Sequence, residues 1–304
     1  MLQIHFDIGA SAQKVLEDVI LKMVHHIHAK TKMKNLCIGG GVALNGVANY
    51  KILSEGPFEN VHIPPSPGDA GSAVGAAQYL YYVYHKNPKN QSNTTQLIQE
   101  NVYVGPSYSD EDIKSFLDSK NISYEFFEGI TLLQKTAQLI ADGNVVGWYQ
   151  GKMEWGPRAL GNRSILADPR RADMKDILNA KIKHRESFRP FAPSIMEEFA
   201  SEYFEMDIPS PYMLMVAPVK KPKEIPAVTH VDGTGRLQTV SKESNELYYS
   251  LINEFYKITG VPVIINTSMN VMGEPIVNTP EQAYSMIIKT DMDCIVMGNY
   301  LVRK

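Results

Sequence analysis

Six of the eight arginines in this 304-residue chain lie between Arg158 and Arg189: Arg158, Arg163, Arg170, Arg171, Arg185 and Arg189. The residues before them contain none, and only Arg236 and Arg303 follow. Elsewhere the chain takes its positive charge from lysine. A guanidinium presents a planar fork of donors that holds a phosphate or carboxylate at two points, whereas an ammonium is a point charge. The cluster therefore points to recognition of a small anion. The alternative is a run of surface ion pairs, because Glu154, Asp168, Asp173, Asp176 and Glu186 are interspersed. Arg170 and Arg171, after Asp168-Pro169, read as such surface residues.

Further groups extend the anion-binding reading. Lys183-His184-Arg185 and Arg189 follow the first arginines, and His230 precedes Arg236 by six residues. Asn266-Thr267-Ser268-Met269-Asn270 follows an apolar run. Together they supply cations, hydroxyls and amides that can surround a triphosphate and an acyl phosphate, and a transferring phosphoryl group needs such charge around it. His230 taken alone is more often structural.

Two glycine turns precede this segment. Gly39-Gly40-Gly41 stands between a short apolar run and a helical pattern that contains Asn45. Backbone N–H groups in such a turn approach an anion closely, and the helix N-terminus adds a favourable dipole. The spacing matches neither the dinucleotide fingerprint nor the P-loop. In Gly68-Asp69-Ala70-Gly71 a carboxylate flanked by glycines can ligate a metal or a phosphate-bound Mg²⁺, or can simply cap the next helix.

The totals bound the class. The length suits two domains, and 44% hydrophobic residues is ordinary for a globular protein. A net charge of −3 and a pI near 6.3 argue against nucleic acid as a partner. No apolar run reaches the length of a membrane span, and no signal-peptide pattern opens the chain, so a cytoplasmic location is expected. Cys37 and Cys294 lie within expected strands and read as buried free thiols.

The elements that must carry these groups alternate. Residues 11–30 read as a helix with Ser11 as N-cap, 35–39 as a strand, and 42–53 as a helix. Residues 61–63 read as a strand, and an Ala-rich helix runs from 69 to about 84. Residues 91–98 are polar and read as a linker between a first domain, 1–90, and a second, 99–304. In the second, strands are expected at 102–104, 145–149, 261–265 and 294–297, a strand or loop passage at 192–195, and helices at 110–117, 131–141, 172–182 and 280–289. The fold class is α/β.

The strings GGGVALN, PPSPGDAGSAVGAA, GKMEWGPRALGNRSILADPR, FRPFAPS, HVDGTGRLQTV and NTSMN resemble the O-carbamoyltransferase family, which includes nodulation-factor, cephem-antibiotic and tobramycin carbamoyltransferases. The resemblance covers essentially the whole chain. It implies a partial actin/sugar-kinase-like subdomain followed by a YrdC-like α/β domain. The YrdC-like domain would form carbamoyladenylate from carbamoyl phosphate and ATP, with Mg²⁺. The actin-like domain would then transfer the carbamoyl group to a hydroxyl of a small-molecule acceptor, assisted by a divalent metal, iron in a known member.

Residue by residue, Lys183 and Arg185 fit the first half of the family's KxR…SxN tetrad, and Ser268 and Asn270 fit the second. Arg158, Arg163, Arg189, His230, Arg236 and Asn266 lie in motifs that imply contact with carbamoyl phosphate or ATP. Gly39, Gly40, Gly41, Asn45, Gly68 and Gly71 match nucleotide-binding turns, and Asp69 matches an aspartate that closes the metal site. The histidines and second aspartate that complete this site in the family have no counterpart here. His25, His26 and His28 sit mostly on the polar side of their helix and do not replace them. The resemblance therefore implies a fragment, a split-gene product whose partner chain carries the remainder, or a decayed, non-catalytic nucleotide-binding subunit.

Overall fold

The computed structural model describes residues 2–88 and 102–304, so the expected linker at 91–98 lies outside the described residues. The described residues divide into two compact units, one of residues 2–88 with Leu214–Val216, the other of residues 102–213 and 217–304.

The first unit opens with α1 (Gln3–Thr31), which starts eight residues before the expected Ser11 cap. Ser11 lies inside this helix, its Oγ donating to the Asp7 carbonyl at 2.7 Å. The helix ends at Lys32, which adopts a left-handed conformation (φ +56°). Strands β1 (Asn35–Cys37) and β2 (Asn60–His62) pair in parallel. Helix α2 (Gly46–Glu55) lies between them, and α3 (Asp69–Gln78) continues as a π-turn over Tyr79–Tyr84. The core here is small. Val24, Ile52 and Phe58 are its buried members, and α1 buries Val24 alone along its length. Cys37 is exposed, contrary to expectation, because β1 belongs to a two-stranded sheet with little cover.

The expected helix at 42–53 is broken at Asn45. A 3₁₀ turn spans Gly41–Leu44, and Asn45 then takes an extended conformation and caps α2, its Oδ1 accepting from the Ala48 N–H at 3.0 Å. Asparagine favours this local bond over continued helix.

Among the described residues the second unit, together with Met215 and Val216 of the first, forms a nine-stranded mixed sheet. Its strands are β3 (Glu125–Phe126), β4 (Val146–Tyr149), β5 (Arg163–Ala167), β6 (Ala192–Met196), β7 (Met215–Pro218), β8 (Thr234–Val240), β9 (Val263–Ser268), β10 (Cys294–Met297) and β11 (Tyr300–Arg303). The order across the sheet is β3-β11-β10-β4-β5-β9-β6-β8-β7. The pairs β4–β10 and β6–β8 are parallel; β4–β5, β5–β9 and β6–β9 are antiparallel.

Helices α4 (Asp110–Ser119), α5 (Gly129–Ala141), α6 (Met174–Ile177), α7 (Ala200–Tyr203), α8 (Glu246–Thr259) and α9 (Pro280–Lys289) complete it. Leu133 and Ile140 of α5 and Tyr248, Leu251 and Phe255 of α8 bury themselves with Trp148, Ile264 and Val296 of the sheet. Removing this apolar area from water is the main drive for the unit. Residues 102–104 form no strand, and the expected helix at 172–182 is the short α6 followed by a π-turn, Leu178–Lys183.

Candidate functional site

The π-turn ends at His184, whose left-handed backbone (φ +48°) reverses the chain between Lys183 and Arg185. The two cations consequently have different surroundings. Lys183 is 3% exposed. Its Nζ donates to the Ser268 carbonyl, to the Asn270 carbonyl and Oδ1, both at 2.9 Å, and lies 3.3 Å from Ser268 Oγ. Ser268 Oγ in turn donates to Asn270 Oδ1 at 2.7 Å. The structure thus brings Lys183, Ser268 and Asn270 together, with the lysine donors facing protein acceptors. Burial, and then the Arg185 charge, push the Lys183 ammonium down to about 7.

Arg185 takes another direction. Its Nε donates to Asn179 Oδ1 at 2.8 Å, and its guanidinium carbon lies 4.8 Å over the Phe191 ring. Asn179 also donates to the Arg189 carbonyl at 2.9 Å, which fixes the loop between them. Arg185 lines a cavity of about 110 Å³ together with Arg158, Arg236, Asn266 and Ser268, among others. Arg158 comes from the loop before β5, Arg236 from β8, and Asn266 and Ser268 from β9.

Three guanidiniums thus converge on one cavity. None of the three is in an ion pair among the described residues; the arginine pairs found there belong to Arg170, Arg171, Arg189 and Arg303. The Nε atoms of Arg158 and Arg236 are buried without a hydrogen-bond partner. Burial pushes Arg236 down to about 9, with the Arg158 and Arg185 charges adding to the effect. Asn266 is 1% exposed; it donates to Gln238 Oε1 at 2.8 Å, and its own Oδ1 has no partner. Clustered like charges without a counter-ion are unfavourable unless an anion completes them. The cavity is accordingly shaped for a multiply charged oxyanion.

Three expected contact residues lie elsewhere. Arg163 is fully buried and does not line the cavity. Its guanidinium donates to the carbonyls of Gln150, Asn162, Gly151 and Pro106 and sits 3.9 Å over the Tyr149 ring. It ties the loop to the sheet. Arg189 is exposed and paired with Glu186 at 2.9 Å. His230 also lies outside the lining; its Nδ1 is 3.0 Å from Thr234 Oγ1, its Nε2 is buried without a partner, and burial lowers its pKa.

Residues that sequence reasoning missed are Glu154, Gln238 and Phe191. Glu154 Oε1 accepts the N–H groups of Leu160, Asn162 and Arg163 at 2.8, 2.7 and 3.2 Å. That carboxylate draws the Arg158 loop into a fixed curl. Its position inside the arginine segment is the only signal the sequence offers.

In the first unit, the two glycine turns adjoin. The Gly40 N–H donates to the Pro67 carbonyl at 2.7 Å, and Gly68 faces Leu44 and Gly41. Gly71 sits so close to the Ser66 carbonyl that any Cβ would collide with it, at 2.0 Å. Asn45 also bonds Gln13, donating to its Oε1 at 2.8 Å. Asp69 begins α3 and is exposed. Among the described residues no three His, Cys, Asp or Glu side chains are grouped to hold a metal ion. The described side chains around Asp69 therefore do not fit a divalent ion by themselves.

Comparison with known proteins follows the same division. A family described as "Carbamoyltransferase C-terminus" matches residues 137–304, more than half of the chain, and "Carbamoyltransferase N-terminus" matches residues 2–78. The nodulation protein NolNO of Sinorhizobium fredii is 44% identical over 99% of this chain and 44% of its own length. NolO of Bradyrhizobium diazoefficiens is 41% identical over 99% of this chain and 55% of its own. The uncharacterized protein sll1178 of Synechocystis is 43% identical over all of this chain and 53% of its own. The chain thus spans about half the length of these relatives.

Among solved structures, full-length HypF in its phosphate- and nucleotide-bound form has a TM-score of 0.38 and 16% identity, over 58% of this chain and 22% of its own. YciO of E. coli has a TM-score of 0.40 and 16% identity, over 59% and 83%. Likenesses at that level carry no argument about the site. No described helix is long and apolar enough to cross a membrane. The two family matches, one of them over more than half of the chain, establish that this protein belongs to the carbamoyltransferase family.

Proposed function

We propose that the second unit is a YrdC-like domain that binds carbamoyl phosphate and ATP with their phosphoryl groups at the arginine cavity and forms carbamoyladenylate. The observation that carries this reading is the convergence of Arg158, Arg185 and Arg236 on one cavity with no carboxylate paired to them among the described residues. Overall, carbamoyl phosphate, water and ATP give carbamoyladenylate, inorganic phosphate and pyrophosphate. Water first cleaves the bond between the carbamoyl group and phosphate, releasing inorganic phosphate; an oxygen of the resulting carbamate then forms a bond to the α-phosphorus, and the bond from that phosphorus to pyrophosphate breaks. The three guanidiniums hold the phosphoryl oxygens and offset the charge that develops on them. Asn266 and Ser268 orient the carbamoyl end, and Lys183 positions Ser268. Mg²⁺ would accompany ATP. The first unit is part of an actin/sugar-kinase-like domain in this reading, and the setting is cytoplasmic.

The lone Asp69 favours a second element of the reading. This chain forms the adenylate, and transfer of the carbamoyl group to a hydroxyl-bearing small molecule, assisted by Fe²⁺ or another divalent metal, needs ligands beyond the described residues. A separate chain can supply them.

Incubation with carbamoyl phosphate and α-³²P-labelled ATP tests the reading. Labelled carbamoyladenylate and unlabelled pyrophosphate are expected, and Arg236→Met and Arg185→Met should abolish both. ATP binding by the folded protein with no carbamoyl-phosphate-dependent pyrophosphate release would show a non-catalytic nucleotide-binding subunit instead.

A further inference from the structure

Asn266, which lines the arginine cavity, is held in one orientation by the protein around it. Its Nδ2 donates to the Ala159 carbonyl at 3.2 Å and to Gln238 Oε1 at 2.8 Å, which uses both of its hydrogens. Gln238 is itself fixed. Its Nε2 donates to the Leu160 carbonyl at 2.9 Å, so its Oε1 faces the donors, Ser194 Oγ at 2.7 Å and Asn266 Nδ2. A backbone carbonyl can only accept, so Ala159 and Leu160 decide which end of each amide is nitrogen. Both carbonyls follow directly on Arg158 in the same loop. What remains for a ligand is Asn266 Oδ1, which is buried and has no partner.

The sheet explains how two amides meet across an intervening strand. Gln238 of β8 stands opposite Ser194 of β6, and Asn266 of β9 stands opposite Ala192 of β6. Ala192 and Ser194 are two residues apart and share a face of the sheet. Both are small, so the longer side chains of the flanking strands touch over them. Gln238 is buried and does not line the arginine cavity. It acts on a ligand there through Asn266.

The cavity thus offers guanidinium donors, with the Nε atoms of Arg158 and Arg236 unpartnered, and a buried amide oxygen that cannot be exchanged for a donor. Phosphoryl oxygens satisfy the donors. They do not satisfy the amide oxygen, because a fully ionised phosphoryl group has no hydrogen to give. A ligand that satisfies both carries phosphoryl oxygens and an N–H. A site built to hydrogen-bond a group discriminates against the analogue that lacks it, since its own buried atom is then left unpaired. We infer that Asn266 Oδ1 accepts the amide N–H of a carbamoyl group and determines specificity for it, with Gln238 as the positioning residue that keeps this oxygen, and not the amide nitrogen, on offer. An acyl phosphate with a methyl in place of the NH₂ is rejected. Discrimination of this kind rests on carbamoyl phosphate entering this cavity, as proposed for the second unit.

Calorimetric titration of the full chain at about pH 8, where phosphoryl groups are almost fully ionised, compares fresh carbamoyl phosphate, acetyl phosphate and pyrophosphate. Carbamoyl phosphate should bind about tenfold or more tightly than acetyl phosphate. Asn266→Leu should remove that preference, weakening carbamoyl phosphate by about tenfold and changing acetyl phosphate and pyrophosphate by less than about threefold. Gln238→Met keeps most of the side-chain volume and leaves Ala159 alone to hold the Asn266 amide, so the preference should narrow to about threefold. A role confined to folding would weaken all three ligands alike, and that result in both variants would overturn the assignment. So would equal affinity of the unaltered chain for the two acyl phosphates, or a full preference in Asn266→Leu. The preference of the unaltered chain decides even where a variant does not fold. Binding of neither acyl phosphate would sink the reading of the cavity itself, whereas equal binding of both would leave that reading standing and remove only the discrimination.

Discussion

Lys183 donates to both the carbonyl and the Oδ1 of Asn270, each at 2.9 Å, joining the end of a π-turn to the segment just past β9. Ser268 Oγ donates to the same Oδ1 at 2.7 Å. The lysine therefore stands behind the wall of the arginine cavity, and Ser268 lies at its surface. Lys183 is a positioning residue whose charge state depends on what enters in front of it.

That dependence gives a pH prediction. Burial and the Arg185 charge hold Lys183 near 7, well below the ordinary lysine value, so the unliganded protein gives up this proton, and with it one of the three Nζ donations, as pH rises through that range. A polyanion in the cavity favours the charged form. Binding therefore draws protons from solution, and affinity falls as pH rises from 7 towards 9. Titration of pyrophosphate at pH 8 in buffers of different ionisation enthalpy should show uptake of a sizeable fraction of one proton. Lys183→Met should remove that uptake. Equal uptake in both proteins would disconnect Lys183 from the ligand.

The arginine cavity is built at a cost to the unliganded fold. Arg236 is held down to about 9 by burial and by Arg158 and Arg185. Arg236→Met removes one of three mutually repelling charges and keeps most of the side-chain volume. The unliganded variant should be more stable by about 1 kcal/mol, read from urea unfolding. Its affinity for pyrophosphate should fall by about tenfold or more. A variant that is destabilised and still binds pyrophosphate normally would mean that the three charges are structural.

The sequence makes the arginine cluster visible without sorting it. Arg158, Arg163 and Arg170 are of one type in one segment, yet each has a different partner. Arg163 finds four carbonyls because β4 and β5 pair, and β5 begins at Arg163 itself, inside what reads as a glycine-rich motif. Arg170 forms a forked pair with the buried Asp168, 2.6 Å at its shortest, and donates to the Ala141 carbonyl. Only Arg158 is left to face the cavity. The Lys183–Ser268–Asn270 grouping is legible only through the family's KxR…SxN pattern, since nothing in the spacing of residues 183 and 268 brings them together. The roles of Gln238 and Glu154 are not legible, because a buried amide or carboxylate is defined by long-range register that a linear spacing does not contain. In the first unit the break at Asn45 follows from a cap that competes with helical continuation.

Gly161 is a point where the Arg158 loop allows no side chain. Its φ is +112°, and a Cβ would lie 2.3 Å from Tyr248 Cδ1 in the core. Gly161→Ala should destabilise the protein by about 2 kcal/mol or more, combining backbone strain with overpacking. Chemical unfolding checks it. Unchanged stability would mean that the loop relaxes away from α8.

Glu154 should control the cavity from a distance through that same loop. One of its oxygens accepts three backbone N–H groups, from Leu160, Asn162 and Arg163, which bracket the segment leading from Arg158 into β5. Glu154→Ala leaves three buried donors without a partner and should destabilise the fold by about 3 kcal/mol. Glu154→Gln keeps an acceptor oxygen in place and should lose about half of that. Pyrophosphate affinity should drop in both, more in the alanine variant, because Arg158 is no longer held over the cavity. Proton uptake at pH 8 should persist in the bound fraction, since Lys183 is anchored to β9 and not to this loop. Loss of uptake together with loss of affinity would show that the two walls of the cavity move as one, and the loop would then not be an independent element.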